Sequence, residues 1–137
     1  MGNSSPSFAI MGSGGVGGYF GAALARAGYA TTFIARGAHL STMLENGLSI
    51  TKLDETSVQK VKATDTPDDI GSVDYILFSV KLWDTIEAAK QIAPMVGEKT
   101  MILSLQNGIS SEEVLIAHYG ANQVLGGVAE ISAIIKE

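Results

Sequence analysis

The sequence predicts an α/β fold: a doubly wound, mostly parallel sheet with helices on both of its faces. Three observations predict it. Short apolar runs typical of buried strands alternate with segments of helical spacing along the chain. A glycine-rich turn joins the first of these strands to the first helix, and a second strand follows. The length of 137 residues, of which 46% are apolar, fits one compact domain with its own core.

The amino-terminal segment predicts a strand–helix–strand unit. Phe8–Met11 is a continuous apolar run that ends at a glycine, as expected of a strand buried on both faces. Gly15–Gly28 carries its apolar residues at helical spacing, and its last glycine is a suitable helix end. Tyr29–Ala35 is rich in aromatic and β-branched residues and predicts the second strand. Such a unit is almost always parallel and right-handed.

The middle of the chain predicts a short helix and a hairpin. The helix covers Ala38–Glu45 and ends at Asn46-Gly47. Leu48–Leu53 and Thr56–Ala63 alternate apolar and polar residues, which is typical of paired strands with one solvent-exposed face. A turn or a one-turn helix follows at Pro67.

The second half repeats the alternation of strands and helices. The predicted strands are Val73–Val80, Thr100–Leu105 and Val124–Lys136, and the predicted helices are Trp83–Val96 and Ser110–Tyr119. In a sheet of this type, ligands bind outside the carboxyl ends of the strands. The residues just after each strand are therefore the candidate functional residues.

Composition excludes several classes of function. The absence of cysteine excludes a thiol nucleophile and Cys-ligated metal sites, and we assign no metal site. A formal net charge of -5 argues against a nucleic-acid partner. No apolar run reaches the roughly 20 residues of a membrane span, and no signal peptide is recognisable. We expect a cytoplasmic protein with a disordered leader over residues 1–7.

The turn after the first strand matches the dinucleotide-binding pattern G-x-G-x-x-G. In this Rossmann-type motif, the first glycine permits the tight turn and the second lets a pyrophosphate approach the backbone. The third lets the helix pack closely on the strands. A P-loop is excluded because no Gly-Lys-Ser/Thr follows. A turn that serves packing alone is the structural alternative. The candidate cofactor-binding residues of this turn are Gly12, Ser13, Gly14, Gly15, Val16 and Gly17.

Arg36 predicts which dinucleotide binds. It stands at the end of the second strand, where NAD-binding proteins carry an acid for the ribose 2′-hydroxyl. No Asp or Glu occurs between Gly12 and Glu45. Because a guanidinium pairs with a 2′-phosphate and a carboxylate repels it, Arg36 predicts NADP(H). The alternative is a solvated surface cation.

Lys81 and Asn107 follow the next two buried strands. A lysine there can bond ribose hydroxyls or a substrate carboxylate, and an asparagine can bond the nicotinamide carboxamide or a substrate oxygen. A surface lysine and an ordinary Asn-Gly turn remain open alternatives.

Taken together, these motifs resemble the amino-terminal domain of the ketopantoate reductase (2-dehydropantoate 2-reductase) family. The resemblance spans nearly the whole chain, and its Val-Lys and Gln-Asn-Gly-Ile segments are more specific than the glycine turn. The matching segments are Gly12–Gly17, Arg36, Leu44–Leu48, Ser79–Lys81 with Trp83, Leu105–Ile109 and Gly126–Val128.

The resemblance implies an NADP(H)-binding domain over residues 8–137. It implies that the glycine turn and Arg36 bind NADPH, that Lys81 reaches the nicotinamide-side ribose, and that Asn107 lies near nicotinamide and substrate. The resemblance also implies that Ala133, in the last predicted strand, contacts the cofactor. Family members reduce the 2-keto acid 2-dehydropantoate, on the route to coenzyme A. A helical carboxy-terminal domain supplies the general acid, a lysine.

That helical domain has no counterpart in these residues, so no catalytic residue is assigned. We expect a fragment that binds NADPH without turnover and that can form a homodimer through exposed apolar surface. Two alternatives stay open. One is another NADP-dependent dehydrogenase of hydroxy acids or opines. The other is a stand-alone NADP(H)-sensing module.

Overall fold

Strands and helices alternate along the part of the chain that the computed structural model describes, residues 5–12, 15–80, 85–105 and 110–126. The strands are β1 (Ser7–Met11), β2 (Ala30–Ile34), β3 (Leu48–Lys52), β4 (Glu55–Gln59), β5 (Lys62–Thr64), β6 (Val73–Phe78), β7 (Val96–Ser104) and β8 (Val124–Gly126). The helices are α1 (Gly15–Arg26), α2 (Gly37–Asn46), α3 (Thr85–Gln91) and α4 (Ser110–Tyr119). Short 3-10 turns cover Pro67–Asp69, Ala93–Met95 and Ala121–Gln123.

Six strands form one sheet in the order β5-β2-β1-β6-β7-β8, and every neighbouring pair is parallel. The chain first winds outward from β1 through β2 to β5, then crosses back and winds the other way from β6. This order confirms the predicted doubly wound sheet. Its switch point lies between β1 and β6, where Met11 pairs with Phe78.

Helices cover both faces of the sheet. Successive residues of a strand point to opposite faces, so a continuous apolar strand needs a packing partner on each side. On one face, Ile10 of β1 packs in a cluster with Phe20 of α1 and Met43 of α2. On the other, Met11 belongs to a cluster with Ala89 of α3, to which α4 also contributes. Ile10 and Met11 are both fully buried, as predicted for this strand.

The hairpin prediction is right for β3 and β4 and wrong for the residues beyond β4. These strands pair antiparallel, with Leu53 and Asp54 at the tip. The predicted second strand, Thr56–Ala63, is in fact two strands. Its end forms β5, which leaves the hairpin and pairs parallel with β2. The reason is burial: Ala63 packs against the core cluster under α2, whereas β4 stays mostly exposed.

The helix predicted for Trp83–Val96 is shorter in the structure. Its α-helical part ends at Gln91, and the 3-10 turn after it contains Pro94, which has no N–H for a helical hydrogen bond. As a result β7 begins at Val96, earlier than the predicted Thr100. The Thr100 hydroxyl accepts the Gly97 N–H at 2.8 Å and donates to the Val73 carbonyl at 2.5 Å, and so stabilises the irregular start of β7.

The remaining bounds differ little from the predicted ones. Helix α4 has the predicted bounds, and Gly28 and Gly47 follow α1 and α2 as predicted. Strand β1 begins at Ser7, the last residue of the expected leader. Of the strand predicted for Val124–Lys136, residues 127–137 lie outside the described residues. Within the described ranges, no helix is both long enough and apolar enough to cross a membrane.

Candidate functional site

The carboxyl ends of β1, β2 and β6, here called the carboxyl edge, lie level with one another. Met11 pairs with Ile34 on one side and with Phe78 on the other. The Ser79 N–H donates to the Met11 carbonyl at 2.9 Å, which extends this pairing beyond β6. The segments that leave these three strands therefore start side by side at the switch point, where doubly wound sheets bind ligands.

Gly12 ends β1 in a conformation that favours glycine. Its φ is +85°, and a Cβ built on it would lie 2.5 Å from the Ser79 carbonyl oxygen and 2.8 Å from the Val80 Cα. Both neighbours are backbone atoms, which have no rotamer through which to move aside. The turn after β1 therefore lies against the segment after β6, and any side chain at this position would separate them.

The first turns of α1 also pack closely on the strands. A Cβ on Gly17 would lie 2.5 Å from the Gly12 carbonyl oxygen, and one on Gly21 would lie 2.4 Å from the Phe33 ring. This close contact brings the amino end of α1 to the carboxyl edge. The first turn of α1 contains no acidic residue. Its N–H groups and the helix dipole therefore make an environment that favours an anion.

Arg36 lies at the same edge, between β2 and α2. Its backbone is extended, with φ of -145° and ψ of 162°, and it occupies the N-cap position of α2 without making a side-chain cap. The first turn of α2 contains no acid. A guanidinium and the N–H groups of a helix amino end therefore stand together, and both favour a negatively charged group.

Glu87 is the residue that sequence reasoning missed. It lies in the first turn of α3, and its Oε1 is 4.0 Å from the Arg36 Nη1. Because β1 lies between β2 and β6, this ion pair joins the two sides of the switch point. Both side chains are about half exposed, at 49% and 55%. Nothing in the sequence indicates this contact, since a carboxylate in the first turn of a helix is favourable anyway.

Several predicted site residues lie outside the described residues: Ser13, Gly14, Lys81, Asn107 and Ala133. For Gly15 and Val16 only the backbone is described, at the start of α1. The structure therefore brings together Gly12, Gly17 and Arg36 from the predicted set, and adds Glu87.

Helix α3, which carries Glu87, is held by α4. The Tyr119 hydroxyl donates to the Ala89 carbonyl, which is one of the last four carbonyls of α3 and so needs a partner from outside the helix. Burial raises the pKa of Tyr119 above its ordinary value of 10.0. The hydroxyl is therefore neutral, and a donor, throughout the physiological range.

Two surface grooves lie away from the carboxyl edge. One groove, of about 410 Å³, is lined by the first residues of β1, β2, β5 and β6. It therefore lies at the amino ends of the strands, opposite the carboxyl edge. The other, of about 720 Å³, lies between α1 and the β3–β4 hairpin and includes Arg26. Neither is lined by Gly12, Gly17 or Arg36.

Comparison with known proteins identifies the family of the chain. The family model Ketopantoate reductase PanE/ApbA matches residues 8–137. The chain is 38% identical over 101 residues to a 2-dehydropantoate 2-reductase of Mesorhizobium japonicum, which covers 73% of this chain and 31% of that protein. It is 33% identical over 127 residues to the 2-dehydropantoate 2-reductase of Pyrococcus abyssi, covering 93% and 41% respectively.

Among solved structures, 2-dehydropantoate 2-reductase from Geobacter metallireducens matches with a TM-score of 0.87 at 34% identity. This match covers 96% of this chain and 44% of that one. The chain thus spans less than half the length of these three proteins. The family and the Rossmann-like sheet together imply a nicotinamide dinucleotide cofactor. This chain therefore belongs to the ketopantoate reductase family of oxidoreductases.

Proposed function

We propose that this chain is the NADPH-binding part of a 2-dehydropantoate 2-reductase. The observation that carries the proposal is Arg36, a guanidinium at the end of β2 beside the uncapped amino end of α2. The position that holds an acid in NAD-binding proteins holds a cation here. A 2′-phosphate can accept two hydrogen bonds from a guanidinium, whereas a ribose hydroxyl gains little from the charge.

The turn after β1 binds the diphosphate in this proposal. The packing of Gly12 against Ser79 and of Gly17 against Gly12 brings the N–H groups at the start of α1 to the carboxyl edge. Gly14, which lies outside the described residues, lets the diphosphate approach the backbone. Ser13, Gly15 and Val16 complete the turn with their backbone groups.

The reactive end of the cofactor is assigned by resemblance to the family. Lys81 bonds the ribose next to the nicotinamide, Asn107 orients the nicotinamide and the substrate, and Ala133 contacts the cofactor. NADPH, when bound, supplies the hydride that reduces the ketone carbon of the 2-keto acid. The chain's own residues bind and orient these groups.

The substrate is proposed from the two curated relatives described above, both of which are named 2-dehydropantoate 2-reductase. Since this chain spans 31% and 41% of their lengths, the general acid and much of the substrate pocket are expected from the rest of such a protein. We therefore propose that the 137 residues bind the cofactor and do not turn over the substrate.

Titration of the 137-residue chain with NADPH and with NADH tests the proposal. We expect NADPH to bind at least about tenfold more tightly, because each charge-assisted hydrogen bond contributes on the order of 1.5–3 kcal/mol. Arg36→Ala should remove that preference. Arg26→Ala is the matched control, since Arg26 ends α1 and donates to Ser57 at 2.9 Å, away from the carboxyl edge. Equal dissociation constants, or tighter NADH, would refute the assignment.

A further inference from the structure

We propose that Glu87 is a specificity residue that competes with the 2′-phosphate for Arg36. The guanidinium pairs with the Glu87 carboxylate before the cofactor arrives, and it exchanges that partner for the phosphate on binding. The inference rests on the proposed function, since it requires a 2′-phosphate at Arg36. The inference goes beyond the proposed function by assigning Glu87 a role: Glu87 weakens NADPH binding and favours NADH binding.

The geometry places a carboxylate where the phosphate has to bind. The Glu87 Oε1 lies 4.0 Å from the Arg36 Nη1, so a phosphate bonded to the same guanidinium lies within a few ångströms of that carboxylate. Arg36 follows β2 and Glu87 lies in α3 beyond β6, so the pair spans the carboxyl end of β1. Doubly wound sheets bind their ligands in the crevice at this switch point.

The charges decide the direction of the effect. A ribose 2′-phosphate carries close to two negative charges near neutral pH, and a neighbouring carboxylate repels it. The first turns of α1 and α2 contain no acid, whereas Glu87 places a carboxylate next to Arg36. A ribose 2′-hydroxyl carries no charge, and it can donate a hydrogen bond to a carboxylate. Glu87 therefore weakens binding of the phosphorylated cofactor and supports binding of the unphosphorylated one.

A purely structural role makes a different prediction. A carboxylate in the first turn of α3 interacts favourably with the helix dipole. Loss of that interaction lowers stability slightly and does not distinguish NADPH from NADH. The ratio of the two dissociation constants therefore separates a specificity role from a structural one.

The experiment measures the dissociation constants of NADPH and NADH for four forms of the 137-residue chain. These are the unaltered chain, Glu87→Gln, Glu98→Gln and Glu87→Gln combined with Arg36→Ala. Glu98 is the matched control, because it is an exposed glutamate near the amino end of β7, and the amino ends of the strands lie opposite the carboxyl edge. Its replacement removes the same charge far from the proposed phosphate site.

We expect Glu87→Gln to bind NADPH about three- to tenfold more tightly, as Coulomb repulsion over several ångströms in water implies. NADH affinity should stay the same or fall, and Glu98→Gln should stay within about twofold for both cofactors. In the Arg36→Ala background the gain should disappear, because the phosphate is no longer held beside Glu87. Thermal denaturation checks that every variant is folded.

Two outcomes overturn the inference in distinguishable ways. If the unaltered chain prefers NADPH and Glu87→Gln leaves NADPH affinity unchanged or weaker, the competition is refuted and the proposed function stands. If the unaltered chain has no preference for NADPH, the proposed function and the inference both fall.

Discussion

The Cα of Gly12 lies so close to the Ser79 carbonyl that a Cβ at this position would be 2.5 Å from the carbonyl oxygen. This contact joins the turn after β1 to the segment after β6, and it fixes the narrow switch point at which the cofactor is proposed to bind. It also gives the first glycine of the G-x-G-x-x-G pattern a role in the fold, separate from any contact with a diphosphate.

Gly12→Ala should therefore destabilise the fold as well as weaken cofactor binding. A positive φ and a backbone clash together should cost roughly 2–4 kcal/mol of unfolding free energy, measured by chemical denaturation. Gly28→Ala is the matched control, since Gly28 also has a positive φ, +96°, with open space where a Cβ would be. It should cost only about 1–2 kcal/mol. Equal losses for the two variants would show that the contact with Ser79 contributes nothing.

Gly21→Ala should displace α1 from the sheet and lower the free energy of unfolding. An added Cβ would lie 2.4 Å from the Phe33 Cζ and 2.9 Å from the Ile10 Cγ1, and both of these side chains are fully buried. Overpacking of this kind costs about 1–3 kcal/mol, which outweighs the gain of up to about 1 kcal/mol from replacing a helical glycine. The double variant Gly21→Ala/Phe33→Leu should lose less stability than the two single losses combined. A stabilised Gly21→Ala variant would contradict the close packing of α1.

Tyr119→Phe should weaken the attachment of α3 to α4. The loss of the hydroxyl leaves the Ala89 carbonyl without that donor. We expect the free energy of unfolding to fall by about 1 kcal/mol. Tyr75→Phe is the control, because the Tyr75 ring is 40% exposed and stacks on Phe8. It should change stability by less than about 0.5 kcal/mol.

The same tyrosine predicts a dependence on alkaline pH. Burial raises the folded-state pKa of Tyr119, so the unfolded chain loses the proton first as pH rises. The stabilising contribution is complete below the ordinary pKa of 10.0 and is lost as pH rises through the folded-state value. Denaturation at several pH values should show that, above the ordinary tyrosine pKa of 10.0, the unaltered chain loses more stability than Tyr119→Phe does. Parallel curves would contradict a buried, neutral hydroxyl.

A fifth prediction concerns turnover. The 137-residue chain with NADPH and 2-dehydropantoate should oxidise cofactor no faster than a blank without protein, because the expected general acid lies in the part of the relatives that this chain does not span. Absorbance of NADPH at a high concentration of chain provides the measurement. Steady oxidation that depends on the keto acid would show that these residues suffice for catalysis.

The order of strands and helices could be predicted from the sequence because buried parallel strands leave a strong local signal. Phe8–Met11 and Val73–Phe78 are nearly continuous apolar runs, and each is followed by a segment of different periodicity. The close packing at Gly12 and Gly17 could also be predicted from the sequence. The spacing of these glycines is typical of one local turn, so the prediction needs no information about distant residues.

Features set by tertiary contacts could not be predicted. β5 has only three residues, and its partner is β2 rather than the adjacent hairpin strand, a choice that depends on burial beneath α2. The early start of β7 depends on Thr100, whose hydroxyl bonds the Gly97 and Val73 backbones. Glu87 meets Arg36 only because the sheet order brings α3 to the end of β2. The homodimer and the cytoplasmic location stay predictions.

A crystal structure of the chain with NADPH tests the central claim most directly. We predict the diphosphate at the N–H groups of the turn after β1, and the 2′-phosphate within hydrogen-bond distance of the Arg36 guanidinium, which has left Glu87. A structure in which Arg36 stays on Glu87 while the 2′-phosphate lies in solvent would contradict it.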